Sequence, residues 1–270
     1  MRSSLGIALA LASAISAHAQ PRVGESRVTL NGREWAVEFI PAMNIPAAAN
    51  TGFVFLAAAS DWQGPARPAA DAIASFGYNV FRIDPATRPT PADVAALAAW
   101  SAGRSGRKLM LGAWGKGASP AILAAGQPKT SDWCPGLVLI AAAPDAVAAA
   151  ALIQVSIPLL FIESASSEQA VNRLAAAAGE PKRIIIVPAR DDHFAGGQAV
   201  LFESLSPDSR GSAGNRSRSG SPTVDHHGVK YILCCPSRSS KNSWLKLAKR
   251  FLRTCVSPQR CLRMHAGSRA

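Results

Sequence analysis

The sequence has few aromatic residues and almost no cysteine before its last quarter. Aromatic side chains make up 6% of the chain and hydrophobic side chains of all kinds 48%. The core is therefore expected to consist mainly of small aliphatic residues, alanine above all. Cys134 is the only cysteine before residue 206, and no cysteines are spaced as C-x-x-C with paired histidines after them. We therefore expect no metal site and no cofactor; the pairing of any disulfides among the later cysteines is not deducible.

Acidic residues are scarce in one part of the chain only. The formal net charge of +12 would by itself suggest a nucleic-acid or membrane partner. Residues 206–270, however, hold 13 of the Lys and Arg residues and only 2 of the Asp and Glu residues, so the part before them carries about +1. We expect no specific nucleic-acid partner for the nearly neutral part, while the basic tail leaves a membrane surface open as a partner.

The chain lacks an apolar run long enough to cross a bilayer, but its N-terminus has the pattern of a secretory leader. Arg2 precedes the short apolar run Leu5–Ile15, and Ala17-His18-Ala19 forms an A-x-A cleavage site. Residues 1–19 are predicted to be a signal peptide, which implies a periplasmic or secreted protein in an oxidising compartment. The alternative is an alanine-rich N-terminal helix.

The pattern of residues 20–205 predicts an α/β domain. Asn31-Gly32 separates two alternating apolar–polar segments, which indicates an antiparallel β-hairpin. Strands and helices then alternate, which is typical of a mostly parallel sheet covered by helices on both faces. The predicted strands are 52–58, 78–83, 108–114, 136–142, 158–162 and 183–187, and the predicted helices are 65–77, 91–103, 118–125, 167–179 and 197–205.

The strand that ends at Trp114 leads directly into a helix through Gly115-Lys116-Gly117. A strand, a turn of small residues and a helix form the nucleophile elbow of α/β-hydrolases, with the pattern G-x-S-x-G. Aligned on Gly117, Ala113 takes the first small position and Gly115 takes the position of the serine. Glycine accepts the positive φ of this turn without steric cost, but it presents no oxygen. The elbow is therefore predicted to lack its nucleophile.

The general base and its carboxylate partner are expected after later strands. His193 follows the last strand, where this arrangement places a catalytic base, although a lone histidine in a loop is commonly a surface residue. The loop after 158–162 holds Glu163 and Glu168 but no aspartate. Glu168 or Glu163 could serve as the acid, and Glu168 is taken as the candidate; the alternative is that both glutamates are solvated loop charges.

The loop after the strand 52–58 is expected to supply an oxyanion donor, because any residue except proline offers a backbone N–H. Ala59 and Ser60 lie in this loop, and Lys116 follows the nucleophile position, so these three residues are assigned to the cleft. Ser60 and Ser119 are the candidates for a substitute nucleophile, although neither reproduces an elbow.

These motifs resemble those of α/β-hydrolases, and among them the VirJ/AcvB-type periplasmic virulence proteins of bacteria. The resemblance spans about residues 50–205 and is carried by Phe53–Trp62, by Gly77–Asp84, by the elbow 113–118 and by Asp192-His193-Phe194. It implies ester (acyl) hydrolysis, with a modified phospholipid head group as one candidate substrate. Gly115 and the missing aspartate depart from the pattern.

The composition changes sharply after Leu205. Residues 206–222 are rich in Ser, Arg and Gly, which predicts a disordered linker. Asn242–Thr254 could form a basic amphipathic helix; the alternative is that residues 206–270 resemble a GC-rich gene read out of frame.

Three hypotheses follow from the sequence. The first is an exported hydrolase-family protein that has lost its nucleophile and binds a small ester-like or lipid ligand. The second is an active hydrolase that uses His193 as a base on water or an unusual serine. The third is a non-catalytic interaction protein whose basic tail docks on an anionic membrane surface or on nucleic acid.

Overall fold

The computed structural model describes residues 24–43, 51–105 and 109–205, together with the backbone of 223–224 and 230–233. The predicted leader 1–19 and the predicted helix 242–254 lie outside these residues. The strands are β1 (Gly24–Leu30), β2 (Arg33–Ile40), β3 (Thr51–Leu56), β4 (Tyr78–Ile83), β5 (Leu109–Trp114), β6 (Leu137–Ile140), β7 (Leu159–Ser164), β8 (Lys182–Val187), β9 (Thr223–Val224) and β10 (Lys230–Leu233). The helices are α1 (Ala59–Trp62), α2 (Ala66–Ser75), α3 (Pro91–Ser105), α4 (Ala118–Ala125), α5 (Thr130–Trp133), α6 (Ala146–Ala151), α7 (Glu168–Ala177) and α8 (Gln198–Leu205).

The N-terminal hairpin forms as predicted. β1 and β2 pair antiparallel, with Leu30 opposite Arg33 across a two-residue turn. Asn31 and Gly32 have φ of 51° and 74°. This left-handed backbone matches the twist of the flanking strands, and asparagine and glycine adopt it at low cost.

The described strands form one mixed sheet in the order β1-β2-β4-β3-β5-β6-β7-β8-β10-β9. β4, β3, β5, β6, β7 and β8 are parallel to their neighbours within this run. β2 joins β4 antiparallel at one side, and β10 joins β8 antiparallel at the other. The predicted mostly parallel sheet with an antiparallel N-terminal hairpin is therefore confirmed.

Helices cover both faces of the sheet, and each face has its own hydrophobic cluster. On one face α3, α4, α6 and α7 contact one another in sequence, and on the other α2 contacts α8. The strands in the middle of the sheet are apolar at nearly every position because both of their faces are buried. Alanine lines much of the helical surface in both clusters, as the composition predicts.

Several boundaries differ from those expected, and three of the differences lie at the carboxyl edge of the sheet. β6 ends at Ile140 rather than at residue 142, because Ala141 has φ of 47°, which breaks the strand. β7 extends to Ser164 and so includes Glu163. β3 ends at Leu56, and α1, which was not predicted, begins at Ala59. None of the described helices is long and apolar enough to cross a bilayer.

Candidate functional site

The turn from β5 into α4 is as sharp as an elbow requires. Gly115–Gly117 form a single 3-10 turn between the strand and the helix. A Cβ atom on Gly117 would lie 2.1 Å from the Leu56 carbonyl oxygen, and one on Gly112 would lie 2.0 Å from the Phe53 ring. Real Cβ atoms do not approach other atoms this closely, so β3 and the elbow pack together only because these two residues are glycines.

Gly115 has φ of +56°, a conformation that strains any other residue. A carboxylate from a different element lies beside this position. A Cβ atom at position 115 would lie 3.1 Å from Oδ2 of Asp61, which belongs to α1. Asp61 was not selected from the sequence as a site residue, because only the folding of α1 against the elbow brings the two residues together.

The position of Asp61 is fixed by its neighbour Trp62, which is buried. The indole Nε1 of Trp62 donates a hydrogen bond to Glu38. The guanidinium groups of Arg67 and Arg82 each lie 5.4 Å from the centre of the Trp62 ring. Arg82 also donates two hydrogen bonds to the carbonyl of Ala57, which lies between β3 and α1. These contacts hold α1 rigidly at the carboxyl end of β3.

In the loop after β8, His193 is exposed to solvent, whereas the residues on either side of it, Asp192 and Phe194, are held by contacts with other parts of the chain. Oδ1 of Asp191 accepts hydrogen bonds from the backbone N–H groups of His193 and Ala195, each at 3.0 Å. Phe194 is fully buried with φ of 57°, and its ring contacts Trp114 edge-on with 5.5 Å between centroids. Because Trp114 precedes Gly115, this contact brings His193 and Gly115 to the same end of the sheet.

Asp192 ties the histidine loop to the loop after β7. Its Oδ1 accepts hydrogen bonds from Ser164 Oγ at 2.7 Å and from Ser167 Oγ at 2.6 Å. Within the described part of the chain, no carboxylate hydrogen bonds to the imidazole of His193. Asp191 and Asp192 thus hold the loop in place, whereas none of the acids in the described ranges orients the ring of His193.

Glu163 is buried at the end of β7, so its interpretation as a solvated loop charge is wrong. Burial raises the pKa of this carboxyl to about 8; the hydrogen bond from the Ala142 N–H acts in the opposite direction, and the nearby charge of Asp192 adds to the increase. Its Oε1 accepts the Ala142 N–H at 2.6 Å. Glu163 therefore connects the end of β7 to the loop that follows β6, and it is buried because β7 extends past it.

The remaining predicted site residues follow the carboxyl ends of the strands but form no catalytic triad with one another. Glu168 is the first residue of α7 and is partly exposed, Ala59 and Ser60 are exposed on α1, and Lys116 is exposed in the elbow turn. Ser119 accepts a hydrogen bond from the Asp145 N–H at 2.9 Å, so its hydroxyl braces the loop after β6.

The elbow can supply part of an oxyanion hole. The N–H of Lys116 lies in the first turn after β5, and the first N–H groups of a helical turn have no partner inside it. Such donors stabilise negative charge on a carbonyl oxygen as an acyl carbon is attacked. The described residues include no group of three or more His, Cys, Asp or Glu side chains arranged to hold a metal ion. Cys134 is a buried free thiol away from this edge.

No protein-family model matches the chain. No curated protein matches it either.

Solved structures do share its architecture. The chain is similar to the esterase domain of a Rhodothermus marinus protein, with a TM-score of 0.55, 16% identity, and coverage of 70% of this chain and 98% of the other. It is similar to a dienelactone hydrolase from Anabaena variabilis, with a TM-score of 0.56, 16% identity and coverage of 68% and 95%. It is also similar to an α/β serine hydrolase homologue from Coxiella burnetii, with a TM-score of 0.56, 14% identity and coverage of 68% and 96%. At these identities the likeness establishes the fold alone.

Proposed function

Because the chain has the α/β-hydrolase fold, we propose that it binds a small ester-like or lipid ligand at the elbow and does not use serine acyl-enzyme chemistry. The observation that carries this proposal is Gly115, which has φ of +56° at the end of β5 and no side-chain oxygen. The elbow turn and its close packing against β3 are those that a hydrolase elbow requires, so the backbone of the site is present without the reacting serine.

An ester-like ligand is favoured by the neighbours and by the surroundings of the elbow. Two of the similar structures are an esterase domain and a dienelactone hydrolase. The buried rings of Trp114 and Phe194 contact each other edge-on and supply apolar groups at this end of the sheet, beside its carboxylates. The N–H of Lys116 offers a polar contact for a carbonyl oxygen.

The more specific likeness and the location belong to the same proposal. The motifs 53–62 and 192–194 support a VirJ/AcvB-type protein, for which a lipid head group is the expected ligand class. The leader pattern 1–19 supports export to the periplasm or beyond. The basic tail 206–270 supports a membrane surface as a second partner.

A serine-directed fluorophosphonate probe tests the proposal directly. The purified full-length chain should not be labelled, because residue 115 has no hydroxyl to react. Gly115→Ser restores the hydroxyl and should be labelled if His193 can accept its proton. The side chain must occupy a strained backbone region, so this variant should also lose about 1–3 kcal/mol of unfolding free energy.

Gly115→Ala is the matched control, because it adds the same strained Cβ without an oxygen and should remain unlabelled. Since that Cβ lies 3.1 Å from Asp61, the pair Gly115→Ser with Asp61→Ala should be labelled faster than Gly115→Ser alone. Labelling of the unaltered chain would contradict the proposal, and Ser60 and Ser119 would then be replaced in turn to locate the reacting hydroxyl.

A further inference from the structure

A side chain on residue 115 would crowd the carboxylate of Asp61, and glycine leaves that space free. A serine at position 115 would place its Cβ atom 3.1 Å from Asp61 Oδ2, a tighter approach than most real Cβ contacts. With glycine there, the carboxylate borders a gap that corresponds to the missing serine side chain. Asp61 and Gly115 are both partly exposed, so solvent water can reach this gap and find a hydrogen-bond acceptor in Asp61 Oδ2.

The carboxylate of Asp61 is not used to hold the fold together. Among the described residues, no side chain or backbone group hydrogen bonds to it or forms an ion pair with it, whereas its neighbour Trp62 is held by Glu38, Arg67 and Arg82. Partly buried polar groups are normally hydrogen-bonded to protein or water. The acceptor oxygens of Asp61 are therefore available to a water molecule or a ligand at the elbow.

We propose that Asp61 is the general base of this site and activates a water molecule for direct attack on the carbonyl carbon of a bound ester. This inference rests on the proposed function, because it requires an ester-like ligand at the elbow. It extends that function from binding to hydrolysis without a covalent intermediate.

The reaction balances with Asp61 and water alone. As the water oxygen forms a bond to the acyl carbon, one of its protons moves to Asp61, and the electron pair of the C=O π bond moves to the carbonyl oxygen. The N–H of Lys116 is placed to stabilise that negative charge. When the oxyanion collapses, the ester C–O bond breaks, and the leaving oxygen takes the proton back from Asp61. The products are the carboxylic acid and the alcohol.

The contacts of Trp62 with Glu38, Arg67 and Arg82 support the role of Asp61 as the general base. A general base accelerates a reaction only when its oxygen is held within hydrogen-bond distance of the proton it removes. The ring of Trp62 is buried, has two guanidinium groups 5.4 Å from its centre, and donates a hydrogen bond through Nε1. The adjacent carboxylate is consequently held on a rigid turn rather than on a free loop.

The chain contains a closely matched control for Asp61. α1 reads Ala59-Ser-Asp-Trp62, and α5 reads Thr130-Ser-Asp-Trp133. Asp132 thus occupies the same place in another four-residue helix with the same Ser-Asp-Trp sequence. α5 follows the C-terminal end of α4, whose first turn starts at the elbow, so Asp132 lies away from the carboxyl edge of the sheet.

The experiment measures hydrolysis of p-nitrophenyl acetate and p-nitrophenyl butyrate by the full-length chain and its variants. Asp61→Asn should lower kcat by about 10²–10⁴-fold, the usual contribution of a general base, while Asp132→Asn should leave it within about twofold. Asp61→Ala should be equally impaired but should recover activity in added formate, because the small carboxylate can enter the space that Asp61 vacates. Circular dichroism establishes that each variant is folded.

Two measurements separate this proposal from its alternatives. Repeated turnover in H₂¹⁸O should leave the Asp61-containing peptide without ¹⁸O; incorporation there would overturn the general-base role, because it would show that Asp61 attacks the ester itself. Equal rates for Asp61→Asn and the unaltered chain would also overturn it. A ketone analogue of the ester, tested by thermal shift, isolates binding. Binding of the analogue without any hydrolysis would overturn this inference alone, whereas absence of both would contradict the proposed function as well.

Discussion

At the scale of single residues, the carboxyl edge of the sheet is organised by carboxylates that have different environments. Asp191 and Asp192 accept hydrogen bonds that brace the histidine loop. Asp61 is left to face Gly115. Glu163 is buried, which favours its neutral form. The surroundings of each carboxyl group, rather than its residue type, determine what it can do.

Glu163 should make stability depend on pH. Burial holds the pKa of its carboxyl at about 8 in the folded chain, against an ordinary value of 4.5. Between these values the folded state retains a proton that the unfolded state has lost, so the unfolding free energy should fall as pH rises through this window, by at most about 1.4 kcal/mol per pH unit.

Glu163→Gln stays neutral and keeps an acceptor for the Ala142 N–H, so its urea-unfolding free energy should decline less from pH 5 to pH 8. Glu168→Gln is the control for a partly exposed neighbour and should follow the unaltered chain; parallel profiles for all three proteins would refute the prediction.

At the scale of elements, the site depends on how closely β3 and its following turn approach the elbow. The Leu56 carbonyl at the end of β3 lies where a side chain at Gly117 would begin. The same strand leads into α1, which carries Asp61. The separation between these elements therefore sets the position of Asp61 relative to Gly115, and small residues keep that separation short.

Alanine substitutions at two glycines should have opposite effects. Gly117→Ala would place Cβ 2.1 Å from a backbone oxygen and should destabilise the chain by on the order of 3 kcal/mol, because the backbone must move. Gly103→Ala, in the helix α3, meets nothing within 4 Å and should stabilise by up to about 1 kcal/mol, since alanine is the better helix former. Urea unfolding measures both changes, and similar values for the two variants would show that the close approach at the elbow is not required.

At the scale of the whole molecule, the tail contributes a strand to the edge of the sheet. β10 pairs with β8 from Lys230 opposite Ile186 to Leu233 opposite Arg183. All of the core residues described lie between Val28 and Leu205. The pairing therefore covers the backbone of an edge strand, while the two hydrophobic clusters belong to the α/β domain.

Truncation should separate these contributions. A chain that ends at Leu205 should keep its thermal midpoint within about two degrees, because the described core is retained, but its uncovered β8 edge should promote self-association. A chain that ends at Leu233 keeps β10 and should behave as the full chain in size-exclusion chromatography over a range of concentrations. A large loss of stability in the shorter chain alone would show that residues 206–233 pack on the core.

The sequence by itself determined the hairpin at Asn31-Gly32, the alternation of strands and helices, and the sharp turn at Gly115. These features follow from local patterns: a turn that needs left-handed backbone, strands that are apolar because both of their faces are buried, and small residues where a helix starts directly after a strand. The sequence also indicated that residue 115 presents no nucleophile, since this depends only on the residue type at one position of the motif.

Only the tertiary structure decided which side chains meet at the elbow. Asp61 lies 54 positions before Gly115 in the sequence. The two residues meet because β3 and β5 are neighbours in the sheet and because the contacts of Trp62 hold α1 in place. Glu163 could not be distinguished from a solvated charge until β7 was found to extend past it. Contacts between residues distant in sequence, and the burial that those contacts produce, depend on the packing of whole elements, and no local pattern of residues encodes them.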